Sequence, residues 1–340
     1  MTDHVAFVPI GASRLILDWA PGNTCNFSCA YCHPHNYSGS MPWQTLEDSL
    51  RFVDYVWNNI CIPNKQILSV IFQGGEPTLW PHLIEVCTYI KSLSSKNTVQ
   101  ILTNGTRSKQ WWLDNVSVID GIMVSVHYGQ SNDVKIAEKF NAISDTDTDV
   151  SVHVMIDKNN FDSCVNTYNY IYDNCPNIVL IPKPLRVDIS QSKLQDYTTG
   201  QLETIKNLKH KSTFTKTVIQ PPMHWKDAND NISGQVNIGD LILQKKNNWN
   251  GWYCNIGIET LVVTHEGGIK SGSLCFPGIV YGNISDSEYT IPLNMPTLCK
   301  YDSCGCLTDL QTTKTKFLES GKKYIDNDVF GRTYKIATRD

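Results

Sequence analysis

Three cysteines in one short stretch, Cys25, Cys29 and Cys32, are spaced C-x3-C-x2-C, close enough for a single loop to set three thiolates around one metal centre. Cysteine thiolate is the usual ligand of iron–sulfur clusters. With no fourth cysteine beside the trio, one iron of a [4Fe–4S] cluster would keep a position open to a small molecule. Structural zinc sites more often use paired C-x2-C units and close their shell with four ligands. Zinc is the alternative that the spacing by itself leaves open. A second group of cysteines lies late in the chain: Cys254, Cys275, then Cys299, Cys304 and Cys306 in a C-x4-C-x-C run. A hairpin that joins two thiolates, completed by a cysteine-rich loop, is a reasonable way to hold another metal.

The elements that must position these groups follow from periodicity. Short apolar runs at Leu15–Trp19, Leu68–Phe72, Val99–Thr103, Gly121–Val126, Val150–Met155 and Ile178–Ile181 read as strands. Between them, Thr45–Asn59, His82–Ser94, Lys109–Asn115, Val134–Ala142 and Phe161–Asn174 have helical spacing, with Thr45 and Asp48 placed like a capping box. Six βα units predict an α/β fold, an open or partial (β/α)6 TIM-like barrel, whose reacting groups gather at the C-terminal ends of the strands. A polar, helix-like stretch from Gln191 to Lys211 and a Pro-, Trp- and Asn-rich segment ending at Trp252 read as a junction. Beyond it, Ile258–Val263 and Gly268–Leu274 flank a Gly-Gly turn and predict a hairpin that opens a small second domain.

Composition narrows the function classes. The chain has 340 residues, 41% hydrophobic and 18% charged, with a formal net charge of -4, values typical of globular domains. No broad polybasic surface argues for charge-driven nucleic-acid binding. No apolar run approaches the roughly 18 residues of a membrane span, and the first thirty residues lack the pattern of a signal peptide, so a cytoplasmic protein is expected. Twelve cysteines then point to metal or redox chemistry rather than to a disulfide scaffold. Cys61, Cys87 and Cys164 fall on or beside apolar helix faces and read as packed small hydrophobes. Cys175 sits in a loop and is ambiguous.

The trio, with Tyr31 just before its third cysteine, resembles the signature of the radical S-adenosylmethionine (SAM) superfamily. Gly74-Gly75-Glu76-Pro77, after the second strand, is similar to that family's GGEP motif, which binds the SAM ammonium group. The resemblance implies a [4Fe–4S] cluster on Cys25, Cys29 and Cys32, with SAM chelated by the open iron and cleaved by one electron to methionine and a 5′-deoxyadenosyl radical. It also implies SAM contacts from Tyr31, Gly74, Gly75, Glu76 and Pro77, from Thr103 and Asn104 of a TNG-like turn, and from Ser125 and Met155. His127 is a candidate facing the substrate, and Lys183 and Arg186 lie near the same strand ends. An electron donor such as flavodoxin or ferredoxin is implied as a partner.

The late cysteines resemble the twitch or SPASM extension of such enzymes, which holds one or two auxiliary Fe–S clusters; five cysteines suit one. The C-x4-C-x-C ending departs from the family pattern, so which four of Cys254, Cys275, Cys299, Cys304 and Cys306 bind iron stays open. Expected domains are a radical SAM core over 1–220, an auxiliary-cluster domain over 221–315 and a tail over 316–340. The substrate expected first is a peptide or protein side chain, undergoing oxidation, epimerisation or cross-linking, with Cys175 as a candidate hydrogen donor. A carbohydrate, nucleoside or other small metabolite is the alternative. A zinc-stabilised, non-catalytic binding protein is the reading from another class.

Overall fold

The computed structural model describes residues 4–187, 194–209, 223–236, 238–273, 279–292, 295–318, 324–326 and 335–337. In chain order the strands are β1 (His4–Pro9), β2 (Arg14–Trp19), β3 (Ile67–Phe72), β4 (Thr98–Thr103), β5 (Gly121–Val126), β6 (Asp149–Ile156), β7 (Val179–Pro184), β8 (Met223–Asp227), β9 (Ile232–Val236), β10 (Tyr253–Cys254), β11 (Thr260–Val263), β12 (Gly268–Lys270), β13 (Val280–Asn283), β14 (Thr297–Leu298) and β15 (Lys314–Thr315). The helices α1 (Leu46–Val56), α2 (Leu83–Leu93), α3 (Lys109–Asn115), α4 (Asp133–Ser144), α5 (Phe161–Asn174) and α6 (Thr199–Asn207) separate the strands from β2 to β8. This is the α/β class, with βα units in the succession of a partial (β/α)6 barrel. Each strand read from an apolar run is present, its bounds moved by a few residues at most.

The chain divides into two compact units, one comprising Met1–Ala20, Gln44–Val70 and Gln220–Asp340, the other Pro21–Trp43 and Ile71–Ile219. In the second unit the C-terminal end of β3 begins the order β3-β4-β5-β6-β7. Strands β4 to β7 run parallel, in registers that place Ser125 beside His153 and Met155 beside Lys183. Parallel strands covered on both faces are near-continuously apolar, and seven of the eight residues of β6 are buried. Side chains of α2, α4 and α5 supply the cover: Val86, Ile90, Ile136, Phe140, Tyr168 and Ile171 are all buried.

In the first unit α1 begins where the capping residues predict, the Thr45 hydroxyl accepting from the Asp48 N–H at 3.2 Å. The helix then widens into a π turn at Trp57–Cys61. Strand β11 of the expected hairpin pairs antiparallel with β12, but its other edge runs parallel to β2, with Thr260 beside Ile16. The segment expected as a junction is also more than a connector. Its Trp249 is buried with Phe7, Met223, Leu241 and Leu310, and Trp225 and Trp252 pack around them. Large aromatic side chains bury 150–250 Å² each and so dominate a small core; the segment's loop-forming Asn and Pro residues hide that contribution in the sequence.

Candidate active site

The cysteine trio, its backing turn and the strand ends around it all belong to the second unit. The loop begins at Asn23, which is fully buried. Its Nδ2 donates to the His35 carbonyl at 2.9 Å and to the Ser38 hydroxyl at 3.0 Å, and its Oδ1 accepts from the Met41 N–H at 2.9 Å. One side chain thus ties the loop's start to its return.

Beneath the loop lies the Gly-Gly-Glu-Pro turn. The Gly75 and Glu76 N–H groups donate to the Gly22 and Thr24 carbonyls at 3.4 and 2.8 Å. Gly74 takes φ +118°, and a Cβ on Gly75 would lie 2.2 Å from the Thr24 carbonyl oxygen. Glycine is required at both positions, for the left-handed backbone at the first and for close backbone approach at the second. Pro77 is buried and opens a short helical turn.

Glu76 is 1% exposed. Its Oε1 accepts from the Thr78 N–H and hydroxyl at 3.1 and 2.6 Å and from the Thr103 hydroxyl at 2.8 Å, while Oε2 accepts from the Asn104 N–H at 2.7 Å. Burial pushes the carboxyl upward and these donors counter it. A carboxylate offers about four lone-pair directions. In this geometry Glu76 joins β3 to the end of β4, which leaves the turn's backbone as the freer surface for a ligand.

Asn104 is equally committed. Its Nδ2 donates to Asn26 Oδ1 at 2.8 Å and faces Cys25 Sγ at 3.8 Å, and its Oδ1 accepts from the Thr106 N–H and hydroxyl at 3.1 and 2.9 Å. Together with the Phe27 N–H at 3.3 Å, it gives the Cys25 sulfur two donors.

The three thiols feel one another. Burial and the charges of Cys32 and Cys25 push Cys29 up to about 11, and burial followed by Cys25 raises Cys32. Such a set repels itself as thiolates until cationic iron compensates it. Among the described residues, no three His, Cys, Asp or Glu side chains converge on one point as the ligands of a single ion would.

Tyr31 hydrogen-bonds both the Cys29 thiol and His127 Nδ1. Its ring lies nearly parallel to the imidazole, 24° between planes, and Phe27 meets the same imidazole edge-on. Burial pushes the Tyr31 phenol strongly upward and lowers His127 to about 4.

His127 also lines a cavity of about 190 Å³ with Val126, Ser131, Asp133, Met155 and Cys164 at the C-terminal ends of β5 and β6. The apolar helix face predicts a core position for Cys164. It is 2% exposed and also forms part of this wall, two roles that a helical apolar face does not separate. Ser125 lies on β5 beside His153. Burial, with Arg186 adding to it, lowers the Lys183 ammonium. Cys175 is not brought to this site: it is buried, and its thiol donates to the Ala137 carbonyl at 3.5 Å.

His127, half-buried, and His153, buried, are both held neutral, lowered to about 4 and about 3 by desolvation. Between those values and the ordinary 6.5, the unfolded chain binds protons that the folded chain refuses. Stability is therefore full above pH 6.5 and is lost as pH falls toward 4. Chemical denaturation at pH 7, 6 and 5 is expected to show this decline, and His127→Gln to flatten it.

The late cysteines belong to the first unit. Cys254, Cys299 and Cys304 line one cavity with Trp249, Asp309 and Lys314. Cys306, pushed up to about 12 by burial and by Asp309, stands close enough to raise Cys304. The Asp309 carboxylate accepts from the Ser273 N–H at 3.1 Å. Cys275 lies outside the described residues.

A family model described as the Radical SAM superfamily matches residues 19–182. A probable GTP 3′,8-cyclase of Saccharolobus islandicus is 32% identical over 106 residues, 31% of this chain and 32% of that protein. The chain thus spans about a third of the length of that relative. Similar solved structures include anSMEcpe with bound AdoMet and the Cp18Cys peptide (18% identity, TM-score 0.49, 80% of this chain and 78% of that one). Another is BtrN in complex with AdoMet and 2-DOIA (14% identity, TM-score 0.41, 81% and 79%). Among the described residues no helix is long and apolar enough to cross a membrane.

Proposed function

We propose that the chain, whose residues 19–182 match the Radical SAM superfamily model, is an enzyme that begins catalysis by hydrogen abstraction. When bound, a [4Fe–4S] cluster with SAM supplies one-electron cleavage to methionine and a 5′-deoxyadenosyl radical. The observation that carries the reading is the set of three mutually interacting thiols on one loop, held over a Gly-Gly turn by backbone contacts. Soft sulfur donors in need of compensating positive charge suit iron–sulfur ligation.

Cys25, Cys29 and Cys32 would hold the cluster. Gly74, Gly75 and Pro77 would present backbone to the SAM ammonium, with Glu76 fixing the turn. Thr103 and Asn104 lock strand end to cysteine loop. Tyr31 would orient Cys29, Ser125 and Met155 would contact SAM, and His127, neutral and aromatic-packed, would border the substrate. The proposed modules are the core over 1–220, an auxiliary-cluster domain over 221–315 and a tail over 316–340. Cys254, Cys299, Cys304 and Cys306, with Cys275 as the fifth candidate, are the proposed auxiliary ligands. Electrons would come from a flavodoxin or ferredoxin.

The proposed substrate is a peptide or protein side chain, supported by the likeness of the late cysteines to twitch and SPASM extensions. The partial likeness to GTP 3′,8-cyclase favours a nucleotide as the second reading. Anaerobically reconstituted protein is expected to contain about eight irons with matching sulfide, as two cubane clusters require. Zinc without sulfide would reject the reading. 5′-Deoxyadenosine formation stimulated by GTP or other small metabolites and by no member of a peptide panel would move the assignment to the second substrate class.

A further inference from the structure

The cavity of the late cysteines contains a buried cation with no anionic hydrogen-bond partner. Lys314 is 1% exposed and stands on β15 opposite Cys254 of β10. Its Nζ donates to the carbonyls of Asp309 at 2.7 Å, Thr312 at 3.0 Å and Leu310 at 3.4 Å and reaches the Thr312 hydroxyl at 3.0 Å. The Trp249 ring centroid lies 5.2 Å away. Every one of these partners is neutral. The Asp309 carboxylate beside the same cavity is turned to the Ser273 N–H instead.

A buried ammonium with only neutral dipoles around it is costly unless negative charge lies within the same low-dielectric region. Negative charge near Lys314 comes from carboxylates as well as thiols: Asp309 lines the same cavity, and the charge of Lys314 also acts on Glu259. The Thr312 hydroxyl, which Lys314 reaches, also meets Cys254 Sγ at 3.2 Å. The charge of Lys314 acts against the upward push that burial gives Cys299 and Cys304.

We propose that Lys314 is the electrostatic partner of a thiolate-held Fe–S cluster in this cavity, a positioning residue that offsets the cluster's net negative charge and raises its reduction potential. The proposal rests on the auxiliary-cluster reading given above. Reduction adds an electron to an already anionic centre, and a fixed cation within a few ångströms favours the more negative state. The hydroxyl of Thr312 links that cation to Cys254, so charge and ligand geometry are set by one short segment.

The test uses the full chain with Cys25, Cys29 and Cys32 replaced by alanine, reconstituted anaerobically with ferrous iron and sulfide, so that only the late centre can load. About four irons with sulfide per chain support the reading beneath the proposal; zinc or no sulfide overturns that reading, and Lys314's role with it, before any potential is measured. In the same background, Lys314→Gln keeps a hydrogen-bond donor without the charge, and Lys314→Arg keeps the charge. An EPR-monitored redox titration is expected to place the midpoint of Lys314→Gln below that of the parent, with Lys314→Arg close to it. If Lys314→Gln takes up no cluster while Lys314→Arg does, the charge is needed for assembly, which supports the same role. An unchanged midpoint in Lys314→Gln, or an equal shift or loss in both variants, overturns it.

Discussion

Replacing Cys29 with alanine is expected to abolish reductive SAM cleavage, with 5′-deoxyadenosine falling below detection in single-turnover assays, while the folded chain and the late centre persist. The residue is half-buried on a loop whose anchors lie elsewhere: Asn23 holds the loop's ends together, and the Thr24 carbonyl accepts from the Glu76 N–H at 2.8 Å. Removing one thiol therefore removes a ligand without removing a support. The mutual influence of the three thiols makes Cys29 the informative choice, since it feels both of the others. The measurement pairs product analysis with iron content, which is expected to fall by about half as one of two four-iron centres is lost. Persistent 5′-deoxyadenosine formation would end the assignment of the trio.

The second large effect comes from a methyl group. Gly75→Ala would place its Cβ 2.2 Å from the Thr24 oxygen and 2.6 Å from the Thr24 carbonyl carbon. Both are backbone atoms, so no rotamer change relieves the clash, and either the turn or the cysteine loop must move. Overpacking of this kind costs roughly 3 kcal/mol, to be read from chemical denaturation of the variant. Cluster loading is expected to fall as well, because the displaced residue adjoins Cys25. Gly129→Ala is the matched control. Gly129, unlike Gly75, has a positive φ, +74°, and a Cβ there meets nothing within 4 Å, so only the backbone penalty of about 1 kcal/mol remains. If the two variants lost equal stability, contact with the loop would not be the reason for glycine at position 75.

The two effects differ in how they could be read from the chain. The trio is legible because its chemistry is local: three ligands within eight residues declare a shared centre without any knowledge of the fold. The strands from β2 to β7 and the helices α1 to α5 are legible for a similar reason, since burial on one or both faces imposes a short-range period on residue type. The requirement at Gly75 is different in kind. Two glycines in a turn suggest tight backbone, but the atom that forbids a side chain belongs to Thr24, in another segment.

Side-chain commitments were the hardest to foresee. Glu76 and Asn104 carry groups suited to contact a cofactor, and sequence alone has no means of showing that their hydrogen-bonding capacity is spent within the protein. Cys164 reads from its helix face as a packed hydrophobe and Cys175 from its loop as ambiguous; in the structure the first borders a cavity and the second donates to the Ala137 carbonyl. Lys314 carries no signal in the chain, because a single lysine among threonines reads as a solvated charge. Only its register opposite Cys254 puts it among thiols.

The sequence by itself determined the succession of βα units and the loop that gathers Cys25, Cys29 and Cys32, because periodicity and close ligand spacing are short-range properties. Only the tertiary structure decided which groups stand behind those ligands. Asn104 reaches the Cys25 sulfur from 79 residues away, and Lys314 enters the late cysteine cavity from a two-residue strand. Hydrogen bonds and buried charges depend on distances in space, and those are set by how strands register and helices pack.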